Sequence, residues 1–194
     1  MRHCADLAKS LPVIAFGFVV AWMIFFHAQV YFQRSPEEAH HDANLQNPFS
    51  EAVAVGTLLR EHSDPAARVA VIGSEPEIYF YAQRRSATGY IYTYALMESQ
   101  PYALRMQQDM AREIETNAPM FLVYVPHYLS WLPKPDSPRY LADWFEGYSR
   151  DHYEKVGTVG FVPDGKLESF WGDVPILPGE SITIFQRKNS VPPP

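Results

Sequence analysis

The sequence predicts an α/β protein in which one N-terminal transmembrane helix is followed by a three-layer, mainly parallel sheet covered by helices. Three observations predict it. The run from Leu11 to Phe26 (LPVIAFGFVVAWMIFF) is apolar and stays uncharged as far as Phe32. Val69 to Ile72 and Met120 to Val125 are short continuous apolar runs of the kind that form strands covered on both faces. Segments with helical apolar spacing lie between such runs, and helices alternating with strands through short links build parallel sheets by right-handed crossovers.

From Leu11 to Phe32 there are 22 residues without charge, close to the roughly 20 that a helix needs to cross a hydrocarbon core. Bulky apolar residues surround the whole circumference, so the run has no polar stripe to show to water. Arg2 and Lys9 precede it, and short basic flanks stay cytoplasmic, which sends the chain after Phe32 across the membrane. The exit Phe26-His27-Ala28-Gln29 lacks the paired small residues of a signal-peptide cleavage site. The expected organisation is a stub and transmembrane helix over 1–34, a polar linker over 35–46, an α/β domain over 47–188 and a Pro-rich tail over 189–194.

Within the domain, Asn47 offers an N-cap with Pro48 as first helical residue. Phe49, Ala52, Val53, Gly56 and Leu59 then fall on one face of a helix running to about Glu61. The Val69 to Ile72 strand runs into Gly73-Ser74-Glu75-Pro76-Glu77, where Ser74 and Glu77 have capping-box spacing before a second helix. Gly89 to Tyr94 (GYIYTY) alternates strictly and predicts the second strand. Ser99 caps a long third helix to about Asn117, with Ala103, Met106, Met110 and Ile114 inward. After the Met120 to Val125 strand, Ser137 caps a fourth helix carrying Leu141, Trp144, Phe145 and Tyr148. Val156 to Phe161 and Ser181 to Phe185 close the sheet, with Gly172 to Gly179 as an irregular connection. The ensemble reads as a Rossmann-like layering.

Composition excludes several classes. From Gln33 onward, 14 Lys and Arg stand against 21 Asp and Glu, a difference of −7, and no basic run occurs. That excludes nucleic acid as a partner. The single cysteine, Cys4, precedes the apolar run, so the domain carries neither a disulfide framework nor a Cys-based zinc site. His40, His41 and Asp42 are consecutive linker residues without the spaced partners of a metal site. No sequence signature calls for a cofactor.

Ligands of open α/β sheets sit at the carboxyl ends of strands, which directs attention to Ser74, Glu75 and Glu77. Backbone N–H groups there can hold an anion, but the turn is neither a dinucleotide fingerprint nor a P-loop. A capping box accounts for Ser74 and Glu77 without any ligand. Tyr92 and Tyr94, with His127 and Trp131 after the third strand, can form an aromatic wall for sugars or lipid headgroups. The same rings can equally pack beneath a helix. No G-x-S-x-G elbow organises a triad, and no catalytic residue or metal ligand is assigned.

Asn47-Pro48-Phe49, the block VAVIGSEPEIYFYAQRRSATGYIYTYALMESQPYA, the later MQQDMAREIETNAPMFLVYV and Ser130-Trp131 together carry a resemblance. They resemble the C-terminal extracytoplasmic region of bacterial family 39 glycosyltransferases, relatives of the dolichyl-phosphate-mannose-protein mannosyltransferases. The similarity covers about Leu11 to Gln186. It implies sugar transfer from a polyprenyl-phosphate donor by a GT-C enzyme of many membrane helices in the bacterial inner membrane. The family's catalytic carboxylate lies in an early extracytoplasmic loop that matches nothing in this chain, so no catalytic residue carries over. The resemblance implies an accessory domain severed from the helical bundle, with the lipid bilayer, that bundle, and a polyprenyl-phosphate sugar or glycan as partners. The alternative is a free-standing anchored module that binds carbohydrate or lipid headgroups.

Overall fold

The structure, a computed structural model, describes residues 2–28, 47–162, 164–172, 174–177 and 179–188. The chain separates into two units, Met1–Gln46 and Asn47–Pro194. The expected linker over 35–46 and tail over 189–194 lie outside the described residues.

The first unit contains helix α1 (Arg2–Phe26). Here the expectation of a transmembrane helix is overturned: among the described residues no helix is long and apolar enough to cross a membrane. The reason is length. The helix is bounded at Phe26 with His27 in a turn, and its uncharged part, Leu11 to Phe26, extends about 24 Å at 1.5 Å per residue. A hydrocarbon core is about 30 Å thick. The stretch that lengthened the run to Phe32 lies beyond Ala28, outside the described residues. Within α1 the rings of Phe18, Trp22 and Phe26 follow at four-residue spacing, with centroids 6.2 and 4.3 Å apart.

The second unit runs α2 (Phe49–Glu61), β1 (Arg68–Ile72), α3 (Glu77–Ala82), β2 (Arg85–Ser86), α4 (Tyr94–Met97), α5 (Ala103–Asn117) and β3 (Phe121–Tyr124). It continues with α6 (Tyr128–Trp131), α7 (Tyr140–His152), β4 (Tyr153–Phe161), β5 (Leu167–Trp171) and β6 (Ile182–Arg187). The six strands form one sheet in the order β2-β1-β3-β6-β4-β5.

The mainly parallel sheet expected from the sequence is corrected to a mixed one. β1 pairs parallel with β2 and β3, whereas β3–β6, β4–β6 and β4–β5 are antiparallel. A parallel neighbour requires a crossover of a dozen or more residues, usually a helix, and among the described residues no helix lies between β4 and β6. β5 returns from β4 through a tight turn in which Gly165 adopts φ +81° and its N–H bonds the Val162 carbonyl at 2.9 Å. This hairpin strand, Leu167–Trp171, carries no continuous apolar run, and the sequence reading missed it.

The second correction concerns GYIYTY, which is no strand. β2 ends at Ser86, and side chains of α5 capture the chain beyond it. The Glu113 carboxylate accepts from Thr88 Oγ1 at 2.6 Å and from the Gly89 N–H at 2.7 Å, and Asn117 Nδ2 donates to the Ala87 carbonyl at 2.7 Å. The Val71 N–H of β1, which a longer β2 would have engaged, donates instead to the Tyr79 hydroxyl at 2.9 Å.

Alternating residues of the sheet feed two cores, one on each face. Val69, Val71, Phe121, Val123 and Ile184 pack with Ala52, Val55 and Leu59 of α2 and Ile78 of α3. Ala70, Ile72 and Leu122 pack on the other face with Met110 and Ile114 of α5 and Leu141 and Phe145 of α7. Burying each of the Val, Leu, Ile, Met and Phe side chains contributes about 1.5–3 kcal/mol. α2 turns Ala52, Val55, Gly56 and Leu59 inward, while Phe49 and Val53 stay 37% and 38% exposed. The predicted stripe was therefore rotated. A Cβ on Gly56 would lie 2.6 Å from Tyr81 Cβ, so that glycine sets the close approach of α2 and α3.

The caps differ from the sequence reading. Ser99 donates to Asp136 at 2.6 Å instead of capping α5, which starts at Ala103. Ser137 donates to the Met97 carbonyl and accepts from the Lys134 N–H at 2.7 Å instead of capping α7. Gln107, fully buried, joins three helices: Nε2 donates to the Leu96 and Pro138 carbonyls and Oε1 accepts from the Leu141 N–H, each at 2.9 Å.

α3 ends at Gln83 in the left-handed region, φ 54° and ψ 42°. A Cβ is unfavourable there and glycine is the usual occupant. Gln83→Gly is therefore expected to stabilise the fold by about 0.5–1 kcal/mol, read as a raised urea midpoint at unchanged slope.

Candidate functional site

β1 and β3 lie side by side and point the same way. The chain leaves β1 toward α3 on one face, and leaves β3 toward α6 and α7, with α7 packed on the other. Such a divergence marks the place, at the carboxyl ends of the strands, where α/β sheets hold ligands. Gathered there are Gly73, Ser74 and Glu75 from the first loop, Thr93 just before α4, and Ser130 within α6.

These residues bond to one another. The Ser74 N–H donates to Ser130 Oγ at 2.9 Å, and Ser130 Oγ donates to Glu75 Oε2 at 2.8 Å. Ser74 Oγ accepts from the Thr93 N–H at 3.0 Å and shares a hydrogen bond with Thr93 Oγ1 at 2.8 Å. Thr93 Oγ1 also reaches the Ser130 carbonyl at 2.9 Å. Ser74, Glu75, Thr93 and Ser130 are all buried. Gly73 permits the arrangement, because a Cβ there would lie 2.7 Å from Ser130 Oγ and 2.9 Å from Val125 Cβ.

Burial pushes the Glu75 carboxyl up to about 7; the Ser130 hydrogen bond opposes the rise and the nearby Glu77 charge adds to it. Burial also raises Glu77. Tyr94 is pushed up to about 12, first by burial, then by its hydrogen bond with Tyr92, with Glu75 adding a smaller electrostatic push. It remains a neutral donor, and its hydroxyl bonds the Leu129 carbonyl.

The structure thus gathers Ser74, Glu75 and Tyr94 at one place, together with Thr93 and Ser130, which sequence reasoning did not single out. The capping-box reading of Ser74 and Glu77 is replaced: α3 begins at Glu77 with Pro76 as its cap, and no side chain caps it. Tyr92, 46% exposed, stands with its ring edge-on to Tyr94 at 4.5 Å. His127 is used structurally, its Nδ1 accepting from the Leu129 N–H at 3.3 Å as the cap of α6, while Nε2 lies 3.5 Å from Glu180. Trp131 donates through Nε1 to the Val125 carbonyl at 2.7 Å and packs against Tyr124, 6.3 Å between centroids. His127 and Trp131 thereby fix the loop after β3.

The signal that could have found Thr93 was the alternation of GYIYTY itself. Its small polar member is fully buried while Ile91 and Tyr92 of the same segment are 44% and 46% exposed. Among the described residues no group of three His, Cys, Asp or Glu gathers to hold a metal ion. The arrangement can hold a proton on Glu75 near neutral pH, with the Ser130 hydroxyl hydrogen-bonded to that carboxyl.

The second unit is thus a three-layer α/β domain with a mixed sheet and a buried hydrogen-bonded cluster at the carboxyl ends of β1 and β3. Comparison with family models, with curated proteins and with solved structures gives no match.

Proposed function

We propose that this chain serves as the accessory, non-catalytic domain of a polyprenyl-phosphate-sugar-dependent glycosyltransferase at the extracytoplasmic face of a bacterial inner membrane. One observation supports this reading above the others. The GSEPEIYFYA block, which carries the resemblance to family 39 enzymes, lies at the carboxyl end of β1, and its polar residues Ser74 and Glu75 bond to Thr93 and Ser130. A buried cluster whose hydroxyls and carboxyl bond to one another supplies structure and contact surface, and in this reading transfer chemistry belongs to another part of an assembly. A free-standing module that binds carbohydrate or lipid headgroups is the second reading. It is favoured by the exposed ring of Tyr92 beside Tyr94 and by Tyr128, 58% exposed, because sugar faces stack on such rings.

The two readings separate in one experiment. The chain is expressed alone and beside a family 39 transferase deprived of its own C-terminal domain, and transfer from a mannosyl polyprenyl phosphate is measured. The accessory reading expects no turnover from the chain alone and restored turnover in the pair. Turnover from the chain alone, or none in the pair, sinks it. Saturable binding of mannose oligosaccharides without any partner would favour the second.

A further inference from the structure

An open pocket of about 420 Å³ lies at the carboxyl end of α3, sharing no lining residue with the buried cluster of Ser74, Glu75, Thr93 and Ser130, and Arg60, Arg84 and Arg85 line it with no carboxylate among the lining residues. Arg84 is only 8% exposed. Its Nε donates to Ser63 Oγ at 2.9 Å, Nη1 to the Ala82 and Gln83 carbonyls at 3.0 and 3.2 Å, and Nη2 to the Arg60 and Ser63 carbonyls at 3.1 and 2.6 Å. Every acceptor is neutral. Hydrogen bonding is thereby satisfied by helix-end carbonyls and a hydroxyl, with no formal anion among the acceptors.

Gln83, with its positive φ, stands where the chain sends Arg84 inward and Arg85 out to the rim. Arg60 and Arg85 are both exposed. Among the described residues none of the three arginines takes part in an ion pair, although six pairs form elsewhere. Carbonyls at the end of α3 account for Arg84, and for Arg60 through a long 3.4 Å contact to Tyr81, but not for Arg85. Three like charges therefore share one open concavity in a chain of net charge −6. Phe80, 76% exposed, and Tyr81, with rings edge-to-face at 5.3 Å, stand beside them as an apolar wall.

We propose that this pocket binds a phosphate monoester, with the dianion between Arg60 and Arg85 over the fixed charge of Arg84 and the organic group against Phe80 and Tyr81. A dianion relieves the repulsion among the guanidiniums, and each exposed arginine offers a planar fork of donors that fits phosphate oxygens two at a time. The monoester can be a soluble metabolite or the headgroup of a lipid; the chemistry at the arginines is the same.

Phenyl phosphate titrated into the full chain, followed by tyrosine fluorescence, is the test, with vesicles of phosphatidylcholine with and without phosphatidic acid as the second arm. The expected result is saturable binding that salt weakens. In the R60Q/R85Q double variant binding falls at least tenfold, with an unchanged thermal melt because both side chains are exposed. Binding of phosphatidic acid vesicles alone, lost in the same variant, identifies the lipid as the source. Absence of binding in both arms, or equal binding by the variant and the parent chain, overturns the proposal.

Discussion

Glu75→Gln is expected to raise the melting temperature at pH 8 by about 10 °C while leaving it nearly unchanged at pH 4. The folded carboxyl titrates at about 7 and an ordinary one at 4.5. Below pH 4.5 the folded and unfolded chains both hold the proton, and the favourable contribution is complete. Between 4.5 and 7 the unfolded chain releases the proton and the folded one keeps it, so stability falls as pH rises. Above 7 both are ionised and the loss is full. Each pH unit of separation is worth about 1.4 kcal/mol, which makes the loss about 3 kcal/mol, or roughly 10 °C for a domain of this size. Glutamine keeps an oxygen to accept from Ser130 Oγ and carries no charge to desolvate. Thermal melts of both proteins across pH 4 to 8 decide the matter. Parallel curves would show that the buried carboxyl does not titrate as described. Burial also raises Glu77, so a residual slope of the same sign is expected in the variant.

That prediction depends on residues only partly legible in the sequence. Continuous apolar runs located β1 and β3, and helical spacing located α2, α5 and α7, because both signals are local. Strand direction is not local. Four strands run the same way, but β6 inserts between β3 and β4, and nothing in the run Ile182–Arg187 states which neighbours it takes. GYIYTY misled for a related reason. Alternation and β-propensity are weak preferences that tertiary contacts override, here the carboxylate of Glu113 and the amide of Asn117. Glu75 and Ser74 were found because they follow a strand and a glycine. Thr93 and Ser130 were not, since the hydrogen bonds that matter span 19 and 55 or more positions. The apolar run at the N-terminus was legible as hydrophobic and, through Phe26, as helix.

The tether made by Arg84 is equally non-local, and its removal has the other large expected effect. Arg84→Met keeps much of the buried stem volume and removes every donor. The carbonyls of Arg60, Ser63, Ala82 and Gln83 and the hydroxyl of Ser63 then lose a partner together. A buried polar atom left unpaired costs about 1–3 kcal/mol, and water entering from the open pocket recovers part of that, so the net loss is about 3–5 kcal/mol. With a urea slope near 2 kcal/mol per molar for this size, the midpoint falls by about 2 M. Arg84→Lys restores the charge but only part of the bonding, and is expected to recover less than half of the loss. Arg85→Gln, which removes the adjacent charge and no hydrogen bond, leaves the midpoint within error. Equal effects of methionine and lysine at position 84 would assign the stabilisation to the planar fork of donors. Full recovery by lysine would assign it to charge at the end of α3, and the junction of α2 and α3 would then be held by packing around Gly56 and not by the guanidinium.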